Sequence, residues 1–275
     1  MALSILITGC SSGIGQYCAK QLALAGHQVF ATVRREQEHA ALLACGIQPI
    51  HMDLADLSSI QQGFADMMRY SGGKIDILFN NAAYGQPGAV EDLPTAVLIE
   101  QFQVNVFAWH ELSQLALKTM RQQNSGRIIQ NSSVLGVVAM KYRGAYNASK
   151  FALEGLTDTM RLELGDTNIH ISLIEPGPIV SRFREHALAA FRANINIEAS
   201  PHKKAYQQTL ARLAATESNN KFTLGPEAVY QALLEAIHAK RPKARYRVTT
   251  PTKVFAMLKR LLPTSLLDKL LKQVA

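Results

Sequence analysis

The chain has little of what staples a fold covalently or embeds it in lipid. Its 275 residues include only three cysteines, Cys10, Cys18 and Cys45. An odd number without CxxC spacing points to neither a disulfide framework nor a zinc site. His110 and Glu111 open a zinc-like motif, but Gln114 stands where the second ligand would be needed, so no metal is expected. No apolar run is long enough to span a bilayer. Low-complexity tracts, fixed repeats and blocks of like charge are also missing, which argues against disorder and solenoid architectures. The strand-like run LSILIT begins at Leu3, which leaves no room for a signal peptide. A cytoplasmic location is therefore expected.

What is present reads as a globular protein. Hydrophobic residues make up 48% of the chain and charged ones 18%, and a chain of this length buries about three quarters of its unfolded surface. The net charge of +8 is uneven: residues 1–181 hold 12 basic and 15 acidic side chains, residues 182–275 hold 17 and 6. No nucleic-acid motif or aromatic-interleaved basic patch accompanies the excess, so a solvated surface is expected and nucleic acid is not a predicted partner.

Apolar runs rich in β-branched residues alternate with helical periodicity, which predicts parallel strands joined by crossover helices. The candidate strands are LSILIT, QVFATV, IQPIHM, IDILFN, RIIQNS, IHISLI and RYRVTT. One helix ends at Gly26 as a C-terminal glycine should, and another is expected to keep Leu57, Ile60, Phe64 and Met67 on one face before stopping at Gly72 and Gly73. The expected fold is α/β, a Rossmann-type doubly wound sheet of about seven strands forming a single domain over residues 1–275. Residues 182–225 break the rhythm with helical propensity at the carboxyl edge of the sheet, where a lid over a ligand would sit. Residues 251–275 interleave Leu and Phe with Lys259, Arg260, Lys269 and Lys272. Such an amphipathic extension is expected to pack on its own domain or on a second subunit, a membrane surface being less favoured.

Immediately after the first strand comes TGCSSGIG, with Gly9, Gly13 and Gly15 opening a helix around Ser11, Ser12 and Ile14. Glycines there let main-chain N–H groups approach a pyrophosphate at the positive end of the helix. Its place at the first strand–helix junction is the context that makes the motif a nucleotide site. A carboxylate ending the second strand would bind a ribose 2′-hydroxyl, but Arg34 and Arg35 stand there, with Ser11 and Ser12 nearby. Guanidinium groups match a 2′-phosphate, so NADP(H) is the predicted cofactor, with Arg34 the main clamp. In MDLAD after the third strand, Asp53 is a candidate acceptor for the adenine amino group; an N-terminal helix charge explains it equally well.

The stretch YRGAYNASKFALEG places Tyr146 four residues before Lys150. Four helical residues advance ~6 Å and ~400°, so the two side chains leave one face and share one site. An ammonium nearby favours the ionised phenol and would make it a usable proton donor.

Taken in order, these residues resemble the short-chain dehydrogenase/reductases over Leu3 to about Ser181. TGCSSGIG is similar to the family's TGxxxGxG loop, and Asp53 with Leu54 to its adenine-binding segment. NNAAYG, with Asn81 and Ala82, is similar to its NNAG, with Ala83 replacing glycine. Within the family the chain most resembles bacterial NADP-dependent aldehyde reductases related to retinol and 17β-hydroxysteroid dehydrogenases. The resemblance implies a catalytic set of Asn105, Ser133, Tyr146 and Lys150, and nicotinamide contacts from Pro176, Gly177, Ile179 and Ser181. It implies reversible reduction of an aldehyde or ketone by NADPH: Tyr146 donates the proton, Ser133 holds the substrate oxygen, and Asn105 holds a water that links Lys150 to solvent. Bringing a phenol from ~10 to ~7 needs ~4 kcal/mol, which one charge ~4 Å away supplies at an effective dielectric constant of ~20. Leu188, Ala189, Ala190 and Phe191 in the lid favour a medium to large apolar substrate. A small-molecule carbonyl or alcohol partner and a homodimer or homotetramer are expected. The alternative is a non-catalytic NADP(H) sensor on the same fold.

Overall fold

The computed structural model describes residues 2–215 and 220–273. The alternation read from the sequence becomes β1 (Ser4–Ile7), α1 (Gly13–Leu24), β2 (Gln28–Val33), α2 (His39–Leu43), β3 (Gln48–His51), α3 (Leu57–Tyr70), β4 (Ile77–Asn80), α4 (Thr95–Phe102), α5 (Ala108–Gln123), β5 (Gly126–Asn131), α6 (Gly144–Glu163) and β6 (Ile169–Glu175). The later half adds α7 (Phe183–Asn194), α8 (Lys203–Ala214), α9 (Glu227–His238), β7 (Arg245–Arg247), α10 (Thr250–Leu261) and α11 (Thr264–Leu271). Each of the seven predicted strands is present, with every end within three residues of the sequence reading.

The strands form one parallel sheet in the order β3-β2-β1-β4-β5-β6-β7. Both faces are buried, which is why the strands read as apolar runs without alternation. Ile5 and Ile7 face a core built with α1 and α9, while Leu6 between them faces α3, α5 and Leu153 of α6. The strand order reverses between β1 and β4, and a crevice opens at their carboxyl ends, where such folds bind ligands.

Several details depart from expectation. Leu57 is exposed although Ile60, Phe64 and Met67 are buried, because Asp56 caps α3 by accepting from the Ser58 N–H at 2.9 Å and Leu57 is only its first residue. Phe191 is fully buried with Tyr206, Ile195 and Ala89, forming the core of the α7–α8 unit itself, so it cannot wall a substrate. Ala83 is absent from the positive-φ residues, so the replacement of glycine costs no backbone strain. The C-terminal helices pack on their own domain: Phe255, Leu267 and Leu271 meet Val134, Leu135 and Val138, and Lys259 donates to the Val137 carbonyl at 2.6 Å. Among the described residues no helix is long and apolar enough to cross a membrane.

Candidate active site

The glycine loop is tied down from its second strand. Thr32 accepts from the Gly9 N–H through Oγ1 at 3.1 Å and from the Cys10 N–H through its carbonyl at 2.9 Å. Gly9 is left-handed at φ 72°, and a Cβ on it would lie 2.7 Å from Ala82 Cβ. A Cβ on Gly15 would lie 2.2 Å from the Gly9 carbonyl oxygen, so α1 can start this close to the loop only as glycine. Gly13, also left-handed, faces Ser181 at 3.1 Å by the same construction. The loop and the Pro176–Ser181 segment thus flank the start of α1. Ser12 sits at the N-cap of α1 without bonding through its side chain, which leaves first-turn N–H groups for a ligand. The backbone cradle, the uncapped helix and the pair of arginines together fit a dinucleotide.

Arg34 and Arg35 end β2 exposed, beside the loop that carries Ser11. His186 of α7 is held below its ordinary pKa by burial first, then by Arg182, with Arg34 and Arg35 adding to the effect, so the first turns of α7 reach this rim. Asp53 accepts from the Ala55 N–H at 3.0 Å in a local turn; since Asp56 caps α3, the helix-charge reading of Asp53 falls away. Leu54 is buried in the core, so only its main chain can face a ligand. Ile14 is half-buried against the α1 core.

A hydrogen-bonded chain joins this loop to the lysine. Lys150 Nζ donates to the Asn131 carbonyl at 2.8 Å, Asn131 Nδ2 donates to Asn81 Oδ1 at 2.9 Å, and Asn81 Nδ2 donates to the Thr8 carbonyl at 2.9 Å. Ala82 contributes its N–H to Thr8 Oγ1 and its carbonyl to Trp109 Nε1. Lys150 is fully buried and lies 4.2 Å from the Trp109 ring centroid, a cation–π contact. Sequence reasoning missed Asn131 and Trp109, since neither carries a motif and only the sheet brings them to the lysine.

Ser133 caps a short helical turn by accepting from the Leu135 N–H at 3.1 Å, which leaves its O–H to the Tyr146 phenol, where it favours the ionised form. Pro176 accepts the Val134 N–H at 2.8 Å and so places the Pro176–Ser181 segment beside Ser133. A Cβ on Gly177 would meet Thr249 Oγ1 at 2.2 Å. Ile179 bridges to Leu224, and Ser181 Oγ accepts the Phe183 N–H at 3.4 Å. Asn105 lies in a widened π-type turn, Gln103–Phe107. Its side chain receives the Tyr84 N–H at 3.3 Å and donates to the Tyr84 carbonyl at 2.9 Å and Ser149 Oγ at 3.2 Å. Ser149 in turn donates to the Tyr146 carbonyl at 2.8 Å. Asn105 therefore braces the helix that carries the pair.

The electrostatics differ from the sequence expectation. Burial pushes Tyr146 up to about 12, with Ser133 opposing, and pulls Lys150 down to about 7, with Glu154 opposing. The lysine points to the Asn131 carbonyl and lies 5.7 Å from the phenol ring centroid, and the desolvation of the phenol outweighs what the cation supplies. A protonated phenol held this way is a donor, not a base. Phe183 of α7 packs edge-on against Tyr146 at 5.2 Å and closes over Gly85, where a Cβ would lie 2.7 Å from its ring.

The geometry defines a dinucleotide-dependent oxidoreductase fold with a Ser-Tyr-Lys centre, and the chain belongs to the short-chain dehydrogenase family, whose model matches residues 4–190. It is 36% identical over 272 residues to the uncharacterized oxidoreductase YbbO of Escherichia coli (strain K12), covering 99% of this chain and 95% of that one. Retinol dehydrogenase 8 of Bos taurus is 33% identical, with 90% and 81% covered. The NADPH-dependent 3-dehydrocapnine reductase of Ornithobacterium rhinotracheale is 31% identical, with 96% and 94% covered.

Proposed function

We propose that the protein is an NADPH-dependent reductase of aldehydes or ketones, working on a medium to large, largely apolar substrate. The observation that carries this reading is the protonated, half-buried phenol of Tyr146 held between Ser133 and the α7 insertion at the mouth of a dinucleotide crevice. NADPH, when bound, supplies the hydride. The glycine loop and the start of α1 would hold its pyrophosphate, Arg34 with Arg35 and Ser11 its 2′-phosphate, Asp53 its adenine, and Asn81, Ala82 and Pro176–Ser181 its nicotinamide end. The dependence on NADPH of the Ornithobacterium relative accords with the arginines at the end of β2.

Tyr146 donates its proton to the substrate oxygen as negative charge develops there, and Ser133 donates a second hydrogen bond that orients the carbonyl. Lys150, while protonated, stabilises the phenolate left behind. Asn105 fixes α6 and lies on the route by which the phenol regains its proton. An apolar cleft of about 370 Å³ between the extension and residues 137–141, lined by Val137, Met140, Phe151, Leu267 and Leu271, accords with an apolar substrate body. On this reading the cleft on the C-terminal side, and not Phe191, forms the apolar wall. The α7–α8 unit acts as the lid. A cytoplasmic location accords with three free thiols, and a homodimer or homotetramer with the exposed Ile99, Phe107 and Leu156 on the outer helices.

The test is coenzyme oxidation with a panel of aldehydes, ketones and steroids, NADPH against NADH, for wild type and Tyr146→Phe. The expected outcome is turnover with NADPH that falls roughly 10²–10⁴-fold in the variant, with NADPH affinity retained. Turnover by the variant at the wild-type rate would remove the proton-donor role.

A further inference from the structure

The C-terminal extension turns only one of its faces to the domain. Leu262 is extended, as suits the residue before a proline, and Pro263 breaks the helical run into α10 and α11. The break lets both helices lean on one patch: Phe255 of α10 and Leu267 and Leu271 of α11 meet Val134, Leu135 and Val138. Thr252 and Ala256 are buried on the same side of α10 as Phe255. The opposite sides are also apolar. Val254, Met257 and Leu261 recur at steps of three and four residues and form one stripe along α10, and Leu266 and Leu270 stand one turn apart on α11. All five are exposed, Met257 to 53% and Leu261 to 70%. Because the inner faces share one patch, the outer stripes look away from the domain on a common side.

The charge on these helices is almost entirely of one sign. Residues 250–273 hold Lys253, Lys259, Arg260, Lys269 and Lys272 against Asp268 alone. Lys259 turns inward to the Val137 carbonyl. Among the described residues none of Lys253, Arg260, Lys269 and Lys272 enters an ion pair. Lys253 and Arg260 lie one turn to either side of Met257, and Lys269 one turn beyond Leu266. Lys141 adds a further cation where the extension meets the domain. An apolar stripe edged by cations suits the boundary between lipid headgroups and acyl chains, where the stems of lysine and arginine lie along apolar surface and their heads meet phosphate. A second copy of the chain suits it less: a two-fold contact sets the same patch against itself, four cations against four.

We propose that α10 and α11 form a docking surface for an anionic bilayer, with Val254, Met257, Leu261, Leu266 and Leu270 at the acyl boundary and Lys253, Arg260, Lys269 and Lys272 on the lipid phosphates. The helices lie on the membrane and do not cross it. The surface stands independently of the chemistry at Tyr146, and it brings the apolar cleft beside α11 next to the lipid.

The experiment is flotation of the full chain with phosphatidylcholine vesicles, with and without phosphatidylglycerol. Wild type should float with the anionic vesicles and not with the neutral ones, and salt at about 1 M, where the Debye length is ~3 Å, should weaken the binding. Two double variants, Met257→Gln with Leu261→Gln and Lys253→Gln with Arg260→Gln, change only exposed positions to a good helix former. Each should bind the anionic vesicles roughly tenfold more weakly or worse, with melting temperature and circular dichroism unchanged. Met257→Trp gives a second readout. The native tryptophan, Trp109, is fully buried, so the added indole should shift to the blue on anionic vesicles and be quenched by brominated acyl chains. Failure of wild type to float, or an emission of Met257→Trp that the vesicles leave unmoved, would overturn the proposal. Flotation undiminished in the Met257→Gln, Leu261→Gln variant would do so too, since it would mean adsorption by charge alone. Loss of self-association in that variant, without any vesicle binding by wild type, would assign the stripe to a second copy instead.

Discussion

At the scale of single residues the decisive quantity is the free energy of burying Lys150. Its pKa is pulled from 10.5 to about 7 by desolvation, Glu154 opposing, so between those values the unfolded chain binds more protons than the native one. The burial penalty is full below pH 7 and fades as pH rises toward 10.5. Lys150→Met should therefore be more stable than wild type by about 2–4 kcal/mol at pH 6, the freed Asn131 carbonyl being charged against the gain. Denaturant titrations at several pH values would show the difference shrinking toward pH 10. Wild-type kcat/KM for reduction should fall above pH 7 as the cation is lost, and Lys150→Met should be inactive throughout. A stability difference that grows with pH would refute the assignment. The pairing of Tyr146 with Lys150 was legible because helical spacing alone places both on one face. The direction of their shifts was not, because it depends on Trp109, Asn131 and Phe183, which arrive from three other elements.

Among the elements, the parallel strands were the most readable, since burial on both faces leaves continuous apolar runs. QVFATV matches β2 residue for residue. The π-type turn at Asn105 carries no such signal, because its extra residue is accommodated by the Tyr84 backbone bonds and not by a local sequence preference. Phe191 was misplaced for a related reason: an apolar residue in an insertion reads the same whether it faces a ligand or the insertion's own core. The glycine loop was legible in position, while the reason for each glycine lies in distances. Gly15→Ala drives a methyl into the Gly9 carbonyl at 2.2 Å and toward Asn81 Nδ2 at 2.7 Å. The helix must then shift from the loop. The expected cost is about 1–3 kcal/mol of stability and, on the proposed reading of the site, a loss of NADPH affinity of roughly tenfold or more, since first-turn N–H groups would leave the pyrophosphate. Thermal melting and a fluorescence titration with NADPH measure the two effects; an alanine variant that binds normally would show that the loop has room to yield.

Across the whole molecule, Arg245 makes the largest set of ion pairs among the described residues that join the late half of the chain to the early half. Arg245 on the edge strand β7 reaches Glu175 at 2.9 Å on β6, and Glu154 at 3.0 Å and Asp158 at 2.7 Å on α6. Glu175 is fully buried at the end of the strand that delivers Pro176, and Arg247 meets its other oxygen at 3.1 Å. The basic bias of residues 182–275, read first as a solvated surface, thus includes charges that lock the lid-bearing half onto the sheet; pairings across seventy or more residues leave no local signature. Burial raises Glu154 to about 7 even with Arg245 present. Arg245→Met strips three carboxylates of a partner and should cost about 3 kcal/mol at pH 8, toward the low end for a buried pair because the arginine is partly exposed. Without it the native-state pKa of Glu154 climbs further and that of Asp158 loses the Arg245 contribution that holds it down, so the penalty is complete above the variant's values and vanishes once each acid is protonated in both native proteins. Unfolding free energies should then show the part of the deficit carried by Glu154 narrowing as pH falls from the alkaline side toward about 7, where Glu154 protonates in wild type as well. A deficit that stays constant across this window would mean that Arg245 stabilises the fold by packing its stem, and that the carboxylates find their compensation elsewhere.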